Sequence, residues 1–484
     1  MARATCTLLL LAALTASVAA EPEPRLIADD PGALIELEGE SQLEIRGLQG
    51  TLALRPGKPG ELRYEARTRD NQRSPRPVAL WVQGRKLSLR PVDGDGGTDC
   101  LVELAVPPGL AVDVGASSSI VSVYALDGPF RFSGTGSELM TRGLTGRVDL
   151  QLTGGKVQVS GSEQAVRLES RDAAVLLEHT AGPVTLQLAG STLDIQWARD
   201  TVEGDLDGVA VTAGDVEGLL RLTAAGGSLE LQRASGGATL DLSGTPLALE
   251  QTRGEIDVVT DAPVTFARHD GPLKILGYGA AVTGSGSVGP IDVETDGAEV
   301  RLEQIGAGGL IRGRDLDLQL LGAEGDLTLR TMSSKLLLKR VGGPLTIDTE
   351  LGTVEVAGAA GRVTVNSRNG DVLLRGLKAP LALVADGGEV DVGWVSLAIS
   401  EDVSVQNSNG SLRVQLPRNA SVRIDAHARS GRVESDVPGI EVSEDGHTAS
   451  GLVSEGRVAP QAKRPALHLR SEDDLYIGFD AGDP

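Results

Sequence analysis

The chain has 484 residues, a formal charge of −22, 63 glycines and only 2% aromatic residues. So acidic a balance argues against DNA, RNA or anionic lipid as a partner. The three tryptophans, Trp81, Trp197 and Trp394, are scattered along the sequence and leave little material for the flat platforms that grip sugars.

In chain order, residues 1–20 come first. "MARATCTLLLLAALTASVAA" has an early Arg3, a short apolar run and small residues at Val18, Ala19 and Ala20. That pattern predicts a secretory signal peptide cleaved after about Ala20. Its apolar run is too short to span a bilayer, and no later stretch predicts a transmembrane segment. Cys6 precedes the apolar run, so no lipoprotein anchor is read there. After cleavage only Cys100 remains, which excludes an internal disulfide. Cys100 is expected as a buried residue of the strand "CLVELAV".

Residues 21–115 read as an N-terminal β region and cap. They contain the polar excursion "RTRDNQRSPRPVA" and the acidic turn "DGDGGTD". Asp93, Asp95 and Asp99 alternate there as in a calcium loop, but the twelfth position is Leu104 instead of Glu, so the ligand grammar fails.

Residues 116–438 repeat one line. "DLTLRTMSSKLLLKRVGG" begins at Asp326, "PLTIDTELGTVEVAGAAG" at Pro344 and "RVTVNSRNGDVLLRGLKA" at Arg362. Each places apolar residues at its second, fourth, eleventh and thirteenth positions. Leu345, Ile347, Val354 and Val356 are one such set. The local period is two, which is a strand with one buried face. Val, Leu, Ile and Thr fill the strands, and Gly, Asp and Asn fall between them. Hairpins could use such a line in a sandwich or barrel. A regular unit of about 18 residues with two strands and two turns favours coils stacked into a parallel β-solenoid. About 17 coils are expected, wound right-handed as parallel crossovers usually are. One coil buries too little to fold alone, so the array folds as a body.

Residues 439–484 hold the insertion "SEDGHTASGLVSEGRVAPQAKRPA" and then the strands "LHLRS" and "LYIGF", expected to cap the stack. The predicted fold is therefore all-β, a single-stack parallel β-solenoid (β-helix) with irregular capping ends.

Two stretches carry more than periodicity. "VELAVPPGLAVDVGASSSIVSVYALDG" (Val102–Gly128) runs strand, Pro, turn, strand. "LRVQLPRNASVRIDAHARSGRVESDVPG" (Leu412–Gly439) repeats that grammar. The chain thereby resembles the exported bacterial domain family named for adhesins, a domain of unknown function with repeated T-x-S-G-x-V-x-V coils. The resemblance extends from about Leu34 and is tightest from about Gly325 to Gly439. It implies a stacked β-solenoid and supplies no catalytic residues. Ala173-Ala174 and Ser333-Ser334 depart from its Ser-Gly turn, and "RSEDDLYIGF" departs from its last coil.

Chemistry-bearing patterns are sparse. His179, His269, His427, His447 and His468 are far apart and are expected as scattered surface residues instead of a zinc or catalytic site. Asp292, Glu294, Asp348 and Glu350 occupy outward strand positions, which must be polar in any case. There is no G-x-S-x-G elbow and no Walker-type Lys. No catalytic, cofactor-binding or metal residue is nominated, and no cofactor is implied. The expected role is non-enzymatic: an exported, acidic solenoid in adhesion, surface display or scaffolding at the cell envelope. Its partner would be an extended protein or glycan at the cell surface. The alternatives are a glycan-acting lyase or hydrolase with carboxylates on one face, and a self-assembling structural protein.

Overall fold

A computed structural model describes residues 23–28, 32–68, 78–92, 99–397, 401–454 and 465–479. The expected signal peptide lies outside them, as do Asp93, Asp95 and the side chain of Asp99. Every regular element among the described residues is a β-strand, and these form a parallel β-solenoid of about 17 turns with a spacing near 18 residues. By internal contacts the chain divides after Gly134 into two units.

In the first unit the centre is the long strand Gln42–Pro56. Its first part pairs in parallel with Lys86–Pro91 on one side and Ala111–Ser117 on the other. Its second part does the same with Asp99–Val106 and Ile120–Tyr124. An earlier segment therefore lies between two later ones. The exposed edges are then closed by antiparallel strands: Val78–Gln83 on Lys86–Pro91, and Glu61–Thr68 on Asp99–Val106. Cys100 is buried as expected, and its thiol lies 3.6 Å from the carbonyl oxygen of Gln49.

In the second unit two strand faces repeat. On one, Val148 pairs with Val166, Val166 with Val184 and Val184 with Val202, each step being 18 residues. On the other, Val157 pairs with Val175 and Val175 with Leu193 at the same step. Later, Leu345, Ile347, Val354 and Val356 pair with Val363, Val365, Val372 and Leu374. All eight are buried. Because parallel pairing in register puts like on like, each inward position becomes an aliphatic column through the stack.

Coils approach closely at their corners. A methyl group on Gly361 would come within 2.3 Å of the carbonyl oxygen of Gly343 in the coil before it. Gly284 leaves the space that the ring of Phe266 fills, where a Cβ would sit 2.0 Å from ring carbons.

The carboxy-terminal end corrects one expectation. Ala466–Ser471 and Leu475–Phe479 do not cap the stack. They form a coil inside it. Val403 pairs with Leu467 and Leu412 with Leu475 on one side. Ile424 pairs with Leu467 and Val433 with Leu475 on the other. The inward residues Leu467, Leu469, Leu475 and Ile477 are buried, which an inserted coil requires. The cap is instead Thr448–Val453, antiparallel to Val422–Ala428, with Ile440–Val442 beyond it. Reversed direction ends the parallel ladder.

Two substitutions check this packing. Gly361→Ala should cost about 1–3 kcal/mol, because backbone of the neighbouring coil cannot yield to the new methyl. Ile347→Ala should cost about 2–5 kcal/mol through the cavity it leaves in an aliphatic column. Denaturant titration followed by circular dichroism measures both.

Candidate functional site

Each coil turns twice, and at both corners the backbone enters the left-handed region. At one corner the residues from successive coils include Asp315, Ser333, Leu351 and Asn369, with φ between 52° and 56°. At the other corner the column runs Gly143, Gly161, His179, Trp197, Asp215, Arg233, Gln251, Arg268 and Gly286. The six residues between Gly161 and Gly286 all carry side chains at φ between 52° and 62°. Glycine adopts this conformation freely, whereas an L-residue pays roughly 1–2 kcal/mol. Six consecutive coils thus keep side chains where flanking coils have glycine. Local strain that the surrounding stack over-determines points to use of those side chains.

Five of them, all but His179, wall a groove of about 680 Å³. One wall comes from the corner column: Trp197, Asp215, Arg233, Gln251 and Arg268. The facing wall is Glu217, Ser235, Arg253, Asp270 and Val288, two positions further along each coil. Ala234, Thr252 and His269 form the floor between them.

At one end Trp197 is 50% exposed. His179, on the preceding coil, stacks on it with ring centroids 6.0 Å apart and planes 6° from parallel. Trp197 itself lines the groove. Next, Arg233 grips Asp215 with both ends of its guanidinium, at 2.7 and 2.6 Å. The Arg233 hydrogen bond holds the Asp215 carboxyl below the usual range. Arg268 donates to Glu250 at 2.7 Å. With its amide oxygen facing Arg268, Gln251 accepts from the same guanidinium at 3.2 Å. Arg253 is exposed and pairs with no acidic side chain among the described residues.

His269 is fully buried, which corrects the expectation of a surface histidine. Its Nε2 donates to the carbonyl oxygen of Pro272 at 3.3 Å, and Nδ1 accepts from the Thr252 hydroxyl at 3.0 Å. Burial lowers its pKa below 6.5, against hydrogen bonds and the Asp270 charge that pull the other way. The floor of the groove is therefore a neutral imidazole.

The other sequence candidates stay apart. His427 is exposed, His447 contacts the carbonyl oxygen of Gly431 at 2.9 Å, and His468 contacts Asp425 at 3.3 Å. Asp292 and Glu294 share Arg312, at 3.5 and 2.9 Å. Asp348, three coils further on, accepts from Asn366 at 3.4 Å, and no site forms between the two carboxylate pairs. Among the described residues no group of three or more His, Cys, Asp or Glu is placed to hold a metal. Trp394 is buried and donates to the Ala379 carbonyl at 3.2 Å. Trp81 is half-buried in the first unit, and Trp197 is the exposed one of the three. The signal for it was the 18-residue interval from His179 to Trp197, one coil step, which the scatter of aromatic residues obscured.

Residues 286–462 match the family model Toastrack DUF4097, so this stretch carries a β-solenoid-like domain of unknown function. No curated protein and no solved structure matches the chain.

His269 makes stability depend on pH. The unfolded side chain takes up a proton near pH 6.5 while the folded one resists it, so its contribution is complete above about pH 6.5 and falls as pH drops below that value. The stability difference between wild type and His269→Gln should therefore be larger at pH 7.5 than at pH 5. Denaturant unfolding of both proteins at the two values checks this; an unchanged difference contradicts a neutral buried imidazole.

Proposed function

We propose that this chain is an exported, non-enzymatic β-solenoid that holds an extended partner at the cell envelope, in adhesion, surface display or scaffolding. The supporting observation is the six-coil corner column from His179 to Arg268. There the fold accepts strained backbone in order to present a row of aromatic, charged and amide side chains. Side chains repeated along a stack make many weak contacts, and their joint strength exceeds that of any one of them. The antiparallel strands on Val422–Ala428 and on Asp99–Val106 favour this reading over end-to-end self-assembly, because they cover parallel edges that such stacking would use there.

A glycan-cleaving enzyme is the second reading, since the groove does hold carboxylates beside a tryptophan. Asp215 weighs against it. A general acid needs a raised pKa, whereas Asp215 is tied to Arg233 and shifted the opposite way.

The test is co-sedimentation of the mature protein with native envelopes, with the supernatant assayed for new reducing ends. The expected result is saturable association and no released sugar. Release of product would move the chain to the enzyme class, and failure to associate would remove the envelope role.

A further inference from the structure

We infer that the groove from Trp197 to Arg268 binds an unbranched neutral glycan along the stacking direction. This deepens the proposed envelope role and rests on it. Four observations carry the assignment. The indole of Trp197 is half-exposed, is stacked by His179 and lines the groove. An aromatic face held rigid in this way suits the apolar face of a pyranose ring. The walls beyond it carry carboxylates, guanidiniums, an amide and a hydroxyl, which together donate to and accept from sugar hydroxyls. The lining charges nearly cancel: Arg233, Arg253 and Arg268 stand against Asp215, Glu217 and Asp270, and Glu250 bonds Arg268 from outside the lining. A groove so close to neutral in a chain of charge −22 gives a polyanion no local attraction to offset the repulsion of the whole. Last, the groove runs along the stack across successive coils. Four coil steps of about 4.8 Å separate Trp197 from Arg268, or about 19 Å, enough for several linked rings in line.

The side chains look chosen for binding instead of folding. Glycine would relieve the backbone at each of the six positions, and coils on either side have it. Trp197→Gly should therefore fold with undiminished stability and bind the ligand more weakly. Arg253, having no ion pair among the described residues, is the second contact that can be removed at little structural cost.

The experiment is calorimetric titration of the full chain with cellohexaose, mannohexaose, maltohexaose and hexagalacturonate, beside thermal melts of each variant. At least one neutral hexasaccharide should bind with a Kd below about 1 mM. Trp197→Gly and Arg253→Ala should each weaken it roughly tenfold while melting like wild type. No neutral binding at that level, binding of hexagalacturonate alone, or unchanged binding by both variants overturns the inference. The envelope assay separates the two levels. If association with envelopes survives Trp197→Gly and is lost when the envelopes are treated with protease, the partner is a protein: the glycan site falls and the envelope role stands. If wild type fails to associate at all, the envelope role falls whatever the titrations show.

Discussion

In-register parallel hydrogen bonding between coils is the constraint on which everything else in this molecule depends. Each coil buries few side chains and cannot close its own backbone hydrogen bonds. Its neighbours supply both. Once Val166 is fixed opposite Val148 and Val184, the identity of every other column follows, inward and outward alike. The same register explains why the side-chain contacts of the surface so often span one coil step, as in Arg221 with Glu203 and Arg233 with Asp215. These exposed pairs contribute little to stability individually. Their importance lies in orienting long side chains that would otherwise be free.

The register also makes strain affordable. A residue in the left-handed region is unfavourable alone, yet at a corner it is held by the coils above and below. The chain then has a choice at each corner between glycine, which relaxes the backbone, and a side chain, which costs stability and presents chemistry. Along most of the second corner it alternates or takes glycine, as at Gly322, Gly358 and Gly376. From His179 to Arg268 it takes side chains without interruption. All but the first of that run line the groove, and the overlap ties backbone conformation to proposed function more closely than any one residue type does.

Much of the fold was legible in the sequence because the strand period and the coil period are both short and regular. Leu345, Ile347, Val354 and Val356 announce two strand faces, and the line that follows repeats them. The ends were less legible. Nothing local in "LHLRS" or "LYIGF" distinguishes a cap from an inner coil, since both need the same alternation. What decides their place is where the long excursion from residue 436 returns the chain, which is a tertiary matter. The site was legible only through the coil step. His179 and Trp197 look unrelated until 18 is added to 179. His269 could not be placed by type at all, because its burial depends on Thr252 and the Pro272 carbonyl meeting both ring nitrogens.

The acidity of the chain and the neutrality of the groove fit one physical picture. Charge distributed over outward columns keeps a protein with so much stacked β-structure soluble and discourages lateral association. The same charge would repel a polyanionic ligand everywhere it approached. A binding surface on such a body therefore works best where the charge is locally cancelled and affinity comes from stacking and hydrogen bonds. In the corner column Arg233 neutralises Asp215, Arg268 neutralises Glu250, and the half-exposed indole of Trp197 lies beside them. An uncharged, hydroxyl-rich, extended ligand is the one that this combination favours, and it needs no catalytic group to be held.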